Sequence, residues 1–235
     1  MEYFIKGGNL PVVICKLKKG ETMLTESGGM IWMTPDMKME TETGGAGQMF
    51  SRMLSGEYFF RNRYTCTADE GEIAFGSCFP GSIRVVEISE DNSVIVQKKG
   101  FLASTPDVKQ SLFLQKKIGA GIFGGNGFIM QKLTGKGLAF IEIDGATVEY
   151  DLKAGEKMIV NTGYIAMMDA TCKMDIRIIK GVKNVLFGGE GLFNATVEGP
   201  GKILIQTMPA YALAGALEEY IVKKDTSSDN ETNEE

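Results

Sequence analysis

FGGNGFIMQKLTGKG at residues 123–137 returns 64 residues later as FGGEGLFNATVEGPG at residues 187–201, with one phenylalanine and five glycines unchanged in register. A second pair of blocks, GGMIWMTPD (28–36) and KGFLASTPD (99–107), matches without a gap at a spacing of 71 residues. Turn glycines recur in any β-protein, but ordered identity in two separate blocks predicts an internal repeat.

Looser matches extend the repeat over most of the chain. GETMLTESG (20–28) resembles GEKMIVNTG (155–163), and both flanking glycines are kept. The spacings predict three tandem units, and their expected bounds are residues 1–80, 81–145 and 146–208.

Inside the predicted units, hydrophobic residues recur with a period of two residues. CKMDIRI (172–178) and LAFIEIDG (138–145) alternate apolar and polar side chains, which is the pattern of half-buried strands. Thirty glycines in 235 residues supply turns at short intervals. We therefore expect an all-β protein of three sandwich-like or barrel-like repeats with few, short helices.

Two helices and a tail complete the expected organisation. Residues 47–56 place four apolar side chains on one face of a short helix. Residues 209–224 begin with a proline and predict a C-terminal helix that packs on the sheets. Residues 225–235 read as a disordered acidic tail. The apolar stripe of the C-terminal helix contains Leu213, Leu217, Tyr220 and Ile221.

The charge distribution argues against a nucleic-acid partner. Five acidic residues and no Lys or Arg lie in residues 225–235, so this tail accounts for the whole formal charge of −5. The remaining body is neutral and has no extended basic field.

The composition also argues against a metal site or an enzyme. The chain has no histidine, which is the commonest acid/base group at neutral pH and the commonest metal ligand. Its four cysteines are scattered, without CxxC spacing. We therefore expect no metal, no cofactor and no enzymatic activity.

Several features favour a cytoplasmic location. Scattered cysteines are typical of a reducing compartment. The first residues, MEYFIKGGNL, lack the pattern of a signal peptide. No apolar run reaches the roughly 18 residues that a transmembrane helix requires.

Two motifs carry a resemblance to a known family. LQKKIGAGIFGGNGF (114–128) and KNVLFGGEGLF (183–193) resemble the signature blocks of the altered-inheritance-of-mitochondria-twenty-four family, and the similarity runs over about residues 1–222. Two positions depart from the family's common residues: Lys117 stands where the family commonly has Gly, and Asn126 where it has Glu.

The resemblance implies a fold and an assembly, but no chemistry. The family's structures look like repeats of the tryptophan RNA-binding attenuation protein fold, a relative of the double-stranded β-helix. They imply a homo-oligomer, with a trimer as the expected form. The mitochondrial member is linked to inner-membrane organisation. No catalytic residue is established for the family, so none is carried over.

The twin FGGxG turns are the sharpest candidate site. Successive glycines can converge backbone N–H groups into an anion-binding nest. The alternative is that these glycines make tight turns at positive φ while Phe123 and Phe187 anchor the core. Duplication favours the second interpretation, because a repeated unit needs its turn twice. The glycines concerned are Gly124, Gly125, Gly127, Gly188, Gly189 and Gly191.

Three other features have a structural and a functional interpretation. GAGIFG (119–124) spells a dinucleotide-binding pattern, but a strand rather than a helix is expected after it. Asp36 and Asp107 share a TPD context, which favours turns over an acid/base pair. Trp32 is the only tryptophan and is expected to be a core anchor rather than a ligand platform.

The sequence thus predicts a non-enzymatic, homo-oligomeric structural or binding protein whose ligand it does not identify. Two alternatives follow from fold analogy alone: an RNA-binding module and a cupin-like protein that binds a small molecule. The partner class stays open between a protein and a small molecule, with peripheral membrane contact as a further option.

Overall fold

The structure is a computed structural model, and it describes residues 1–26, 28–42, 61–116, 128–178, 193–218 and 220. Nineteen strands and one α-helix lie in this part of the chain, so the all-β prediction is confirmed. The strands of the first half are β1 Glu2–Lys6, β2 Val12–Lys18, β3 Thr22–Glu26, β4 Met30–Met33, β5 Met37–Glu42, β6 Arg61–Cys66, β7 Glu70–Gly76, β8 Gly81–Ile88 and β9 Val94–Gln97.

The second half continues in the same way and ends in a helix, α1 Ala210–Glu218. Short 3-10 turns, Lys98–Gly100 and Thr162–Tyr164, precede two of its strands. None of the helices in the described part of the chain has the length and hydropathy of a membrane span. The strands are β10 Phe101–Ser104, β11 Val108–Lys116, β12 Phe128–Gly135, β13 Gly137–Asp144, β14 Thr147–Leu152, β15 Lys157–Asn161, β16 Ile165–Asp169, β17 Lys173–Ile178, β18 Phe193–Glu198 and β19 Gly201–Gln206.

These strands form four antiparallel sheets. Sheet 1 has the order β1-β2-β7-β4, and sheet 2 the order β5-β6-β3-β10-β13-β8. Sheet 3 has the order β11-β12-β9-β16-β19-β14, and sheet 4 the order β15-β18-β17. Sheets 2 and 3 therefore share one topology, displaced by six strands along the chain. Tandem duplication would produce this arrangement, although the bounds of the three predicted units stay predictions.

Local irregularities recur at the two spacings seen in the sequence. The strand register shifts between Met30 and Trp32, between Phe101 and Ala103, and between Ile165 and Met167. The residues inside these three bulges are 71 and 64 positions apart. A bulge re-aims the strand that contains it, so each of these strands bends at the same place.

A side-chain acceptor follows each bulge at the same spacings. Thr34 Oγ1 accepts a hydrogen bond from Glu72 N at 3.2 Å, and Thr105 Oγ1 accepts one from Leu138 N at 3.0 Å. Asp169 Oδ2 accepts one from Lys202 N at 2.8 Å. Each acceptor is the first residue after its strand's pairs with the neighbouring strand, and it binds a backbone N–H of that strand there. The TPD segments are turns, since Met37 N donates to Thr34 O and Val108 N to Thr105 O.

Three apolar clusters form the core. The first lies between sheets 1 and 2, the second between sheets 2 and 3, and the third between sheets 3 and 4. The first contains Phe75 and Phe140, the second Leu133 and Ile141, and the third Met130 among their fully buried members. Cys15 lies in the first cluster as a small apolar side chain. Burial raises the pKa of its thiol to about 12, so it is unreactive at neutral pH.

The C-terminal helix differs from its prediction. Two residues of its expected apolar stripe, Leu217 and Tyr220, are exposed, and Leu213 is half-buried. The helix is held instead by its first turn, where Ala210 N donates to Asp144 Oδ2 at 2.8 Å. The ring of Tyr211 packs directly on Gly163, in the space that a Cβ would need. Residues 221–235 and the predicted helix at 47–56 lie outside the described residues.

We predict that Thr105→Val destabilises the protein by about 1–3 kcal/mol, because valine keeps the shape of threonine and leaves the N–H of Leu138 without its acceptor. Urea unfolding measures the change. Thr147→Val on the exposed strand β14 is the control and should stay within about 0.5 kcal/mol of the wild type. Equal stability of both variants would show that the acceptor does not contribute.

Candidate functional site

The predicted glycine-turn site lies outside the described residues. Neither FGGxG turn is covered, so the anion-nest interpretation stays a prediction, as does the burial of Phe123 and Phe187. The glycines concerned are Gly124, Gly125, Gly127, Gly188, Gly189 and Gly191. The GAGIFG pattern also falls there, but the segment that follows it is strand β12, as expected, and not the helix of a dinucleotide site.

Trp32 is described, and it is not a core anchor. Its side chain is 40 % exposed, and its indole Nε1 donates to Glu72 Oε1 at 3.5 Å. The strand register explains this position. Trp32 lies opposite Ala74, whereas the next residues on β7, Ile73 and Phe75, point into the core. Side chains alternate between faces along a strand, so Trp32 lies on the outer face of sheet 1.

Trp32 belongs to an apolar row that crosses all four strands of sheet 1. Phe4 pairs with Ile14, Ile14 with Ala74, and Ala74 with Trp32. Phe4 and Trp32 are exposed at the two edges, Ile14 is half-buried, and Ala74 is fully buried between Ile14 and Trp32. We call this set of four residues the apolar row.

Ile31 extends the apolar row at the bulge. It is exposed, and its side chain lies directly over Gly76, where a Cβ would overlap it. Glycine at this position therefore lets a bulky apolar side chain lie flat on the sheet. Since the bulge moves Ile31 to the same side as Trp32, strand β4 presents two large apolar groups outward.

Charges of both signs border the apolar row. The next row of the ladder is Glu2, Lys16 and Glu72, in that order across the strands. The ammonium of Lys16 lies 5.5 Å from the centroid of the Phe4 ring, a cation–π distance. A surface with an apolar centre and a mixed charged rim is typical of protein–protein contact.

Sheet 4, at the other end of the fold, has a polar outer face. Val197 and Ala195 of β18 are buried, so Thr196 and Glu198 lie on the opposite, outer side. The neighbours of this side on β17, Lys173 and Asp175, are exposed. The exception is Ile159 on the edge strand β15, which is 71 % exposed.

A buried polar cluster joins sheets 2 and 3. Gln131 Nε2 donates to Glu26 Oε1 at 3.4 Å, and Arg61 donates to Gln110 Oε1 at 2.9 Å. Among the described residues, Gln110 Nε2 and Gln131 Oε1 have no hydrogen-bond partner. Burial raises the pKa of Glu26, against the lowering effect of the Gln131 hydrogen bond and of Lys98 and Arg61.

Other carboxylates accept hydrogen bonds from loops and from the start of the helix. Glu142 Oε1 accepts from Ser77 Oγ at 2.7 Å and from Cys78 N at 3.2 Å. Burial raises the pKa of Glu142 and also that of Asp144, which accepts from the start of α1. Glu142 thus holds the loop at Ser77 and Cys78 against β13, and Asp144 holds the start of α1.

A cleft of about 370 Å³ between β8 and β19 contains the remaining charge cluster. Arg84 and Lys202 both pair with Glu149, and Lys202 Nζ lies 3.0 Å from Glu149 Oε1. Glu87 and Asp169 also line the cleft. Two cations against three carboxylates give no positive field for an anion. Within the described residues no group of three potential metal ligands occurs.

The apolar row is therefore the feature that best fits a functional site, and the sequence interpretation missed it. The signal was present in MIWM (30–33), which has four apolar residues in succession where the matching FLAS (101–104) ends in serine. A strand without alternation presents apolar groups on both faces, which indicates that both faces are covered.

Comparisons with known proteins agree with the resemblance found in the sequence. The family model described as mitochondrial biogenesis AIM24 matches residues 3–208. An uncharacterised protein of Streptococcus pyogenes serotype M6 is 26 % identical over 220 residues, which cover 90 % of this chain and 87 % of that protein.

A crystal structure of a Streptococcus pyogenes protein, determined in a structural genomics programme, has the same fold. It superposes with a TM-score of 0.79 at 23 % identity and covers 94 % of this chain and 99 % of that one.

We predict that Glu26→Gln stabilises the protein near pH 7 and has little effect near pH 4. The pKa of Glu26 in the folded state lies above its ordinary value of 4.5, so the folded state holds the proton more tightly than the unfolded state. The stability that this proton provides is complete below pH 4.5 and is lost as the pH rises through the folded-state pKa. Glutamine carries no charge and keeps a hydrogen-bonding partner for Gln131.

Urea unfolding at the two pH values measures the effect. The control is Glu40→Gln, since the exposed Glu40 has its pKa lowered by Lys38 and should show no gain near pH 7. A loss of stability at pH 7 in Glu26→Gln would mean that the pairing with Arg61 and Lys98 outweighs the cost of burial.

Proposed function

Since the chain belongs to the mitochondrial biogenesis AIM24 family, we propose that it is a non-enzymatic structural protein that assembles with copies of itself, as a trimer in the form that the family resemblance implies. The observation that carries this proposal is the apolar row with Ile31 on the outer face of sheet 1. Large apolar side chains that are exposed on one face and bordered by polar groups, as Phe4, Ile31 and Trp32 are, mark a site of protein or membrane contact.

Energetics favour covering this face. Removing apolar surface from water contributes roughly 25 cal/mol per Å², and a large aromatic side chain such as Trp32 or Phe4 buries on the order of 150–250 Å² when fully enclosed. Both rings lie on strands at the edges of sheet 1, within reach of a second molecule. Aromatic residues in such positions commonly carry much of the binding energy of an interface.

The rim charges favour a protein over RNA or an anionic membrane. Glu2, Lys16 and Glu72 alternate in sign along the row beside the apolar one. Neither RNA nor an anionic lipid surface offers positive groups to pair with Glu2 and Glu72, whereas a second copy of the same surface offers both signs.

A cytoplasmic location is part of the proposal. All four cysteines are free thiols, and three of them are buried. Free thiols persist in reducing compartments.

We predict that the wild-type protein elutes as an oligomer, with a mass by light scattering that is a multiple of the 25.6 kDa chain. Trp32→Lys and Phe4→Lys should each shift it to smaller species at micromolar concentration, because a buried, unpaired lysine at the centre of an interface opposes association. Both residues are exposed in the single chain, so its β-rich circular dichroism spectrum should persist.

Tyr150→Lys is the matched control, because Tyr150 is an equally exposed aromatic residue on the edge strand β14. It should leave the mass unchanged. A strictly monomeric wild-type protein would contradict the proposed self-association. If the wild type bound random RNA at low salt in a filter assay, the RNA-binding alternative would replace it.

A further inference from the structure

The cleft between β8 and β19 lies at the edge of a sheet. In the described part of the chain, β8 is the last strand of sheet 2 and pairs only with β13. Four consecutive residues of β8, 84–87, line the cleft. Its floor is apolar, because Val86, Val94 and Leu204 belong to the second apolar cluster. The cleft is therefore an opening in the side of the core between sheets 2 and 3.

Strand β1 covers a similar edge beside the core between sheets 1 and 2. It pairs antiparallel with β2, and Tyr3 lies opposite Cys15. The Tyr3 ring packs edge-on against Phe140 of sheet 2, with the two ring centroids 5.4 Å apart. Phe140 is fully buried in the first apolar cluster. A strand with one aromatic side chain thus covers both a backbone edge and the side of a core.

The strand pairing shows that β8 occupies the same place in its sheet as β2. Strand β2 pairs with β7, which pairs across a bulge with β4. Strand β8 pairs with β13, which pairs across a bulge with β10. Counted from these bulges, Val86 is the equivalent of Cys15. Residues 84–87, which line the cleft, are then the equivalents of residues 13–16, which β1 covers.

Leu204 occupies the same place in sheet 3 as Phe140 in sheet 2. Each lies opposite the residue that follows a bulge, which is Ala103 for Phe140 and Met167 for Leu204. Phe140 receives the Tyr3 ring, whereas Leu204 lines the cleft. The cleft therefore has the backbone edge and the apolar floor of the β1 site, and no strand of the described part of the chain pairs with that edge.

A side chain supplies one hydrogen bond to this strand. Asn92 Nδ2 donates to the backbone carbonyl of Glu87, and Asn92 lines the cleft. Asn92 is exposed in the turn between β8 and β9. An exposed amide of this kind can be displaced by the backbone N–H of an incoming strand, as β-strand addition requires.

The charges in the cleft favour a basic occupant. Arg84 and Lys202 both pair with Glu149. Among the described residues, Glu87 forms no ion pair, and Asp169 accepts a hydrogen bond from a backbone N–H. The cleft thus has three carboxylates against two cations, and both cations are already paired.

The comparison with β1 places the basic group at one position. Glu2 of β1 lies opposite Lys16 of β2, a pair of opposite charges. Glu87 is the equivalent of Lys16, so a strand added to β8 needs a basic side chain where β1 has Glu2. The next residue of such a strand lies opposite Val86, where β1 has Tyr3.

We propose that the cleft binds an extended segment of another protein, which adds as a strand to the edge of β8. A basic side chain of this segment lies opposite Glu87, and the aromatic side chain that follows it lies opposite Val86 and over Leu204. In this mode of recognition, main-chain hydrogen bonds provide affinity and side-chain pockets provide specificity. The site belongs to sheets 2 and 3 and not to the apolar row, so the inference is independent of the proposed self-association.

A peptide derived from β1 tests the site. It contains Lys-Tyr-Phe-Ile-Lys, which is the sequence of β1 with lysine in place of glutamate, and it carries a fluorescein label on a Gly-Ser linker. Fluorescence anisotropy with the full chain should show saturable binding. The unchanged sequence Glu-Tyr-Phe-Ile-Lys should bind about fivefold more weakly, because its glutamate faces Glu87. Lys-Ala-Phe-Ile-Lys should bind about tenfold more weakly, because it lacks the ring that covers the apolar floor.

A charge reversal in the protein should reverse the preference between the two charged peptides. Glu87→Lys should weaken binding of the lysine peptide about fivefold and strengthen binding of the glutamate peptide by a similar factor. Glu90→Lys is the matched control, since Glu90 is exposed in the turn after β8 and does not line the cleft. It should keep the wild-type preference. The same peptide preference in both variants would overturn the pairing with Glu87.

A photocrosslinker locates the bound peptide. When benzoylphenylalanine replaces the tyrosine, mass spectrometry should find crosslinks at residues 84–87 or 202–204. Crosslinks at Phe4, Ile31 or Trp32 would place the peptide on the outer face of sheet 1 and overturn the inference. The lack of saturable binding at protein concentrations up to about 1 mM would also overturn it.

Light scattering separates this inference from the proposed function. Glu87→Lys should have the same mass as the wild type. A smaller mass would show that a second copy occupies the cleft and would overturn the assignment to another protein. A monomeric wild type that binds the lysine peptide at β8 would overturn the proposed self-association and leave this inference standing.

Discussion

Antiparallel pairing of β3 with β10 and of β9 with β16 is the interaction on which this structure depends. These two pairs complete the six-stranded sheets 2 and 3, which contribute residues to the apolar clusters of the core. A small sheet has two edges with unsatisfied N–H and C=O groups, and pairing two sheets removes one edge from each. Bulges and the acceptors Thr34, Thr105 and Asp169 direct the strands into these junctions.

Edge pairing also determines what the surface can do. Sheet 1 has an outer face with exposed apolar side chains, and β15 is an edge strand of sheet 4 in the described part of the chain. The apolar row lies on the first, and Ile159 on the second. Inside the chain, the buried carboxylates Glu26, Glu142 and Asp144 act in hydrogen bonds that connect strands, loops and the C-terminal helix. These polar groups thus hold the elements of the fold together, and the exposed apolar groups of sheet 1 are those that we propose a second copy covers.

The sequence interpretation placed Trp32 in the core and Leu217 and Tyr220 of the C-terminal helix against the sheets, whereas the structure leaves all three side chains exposed. Hydrophobicity predicts that a side chain avoids water, but it does not say which molecule covers it. For Trp32, the bulge at Ile31 and the pairing with Ala74 decide the face. For the helix, Tyr211 fits onto Gly163, a contact between residues far apart in sequence that no local pattern encodes.

By itself, the sequence determined the all-β class, the 64- and 71-residue spacings and the family resemblance, because alternation and turn glycines are local properties of the chain. It also determined the TPD turns. Only the tertiary structure decided which strands share an edge, which bulges re-aim them and which apolar faces stay uncovered. These depend on the register between distant segments, and a shift of one residue moves every side chain to the other face.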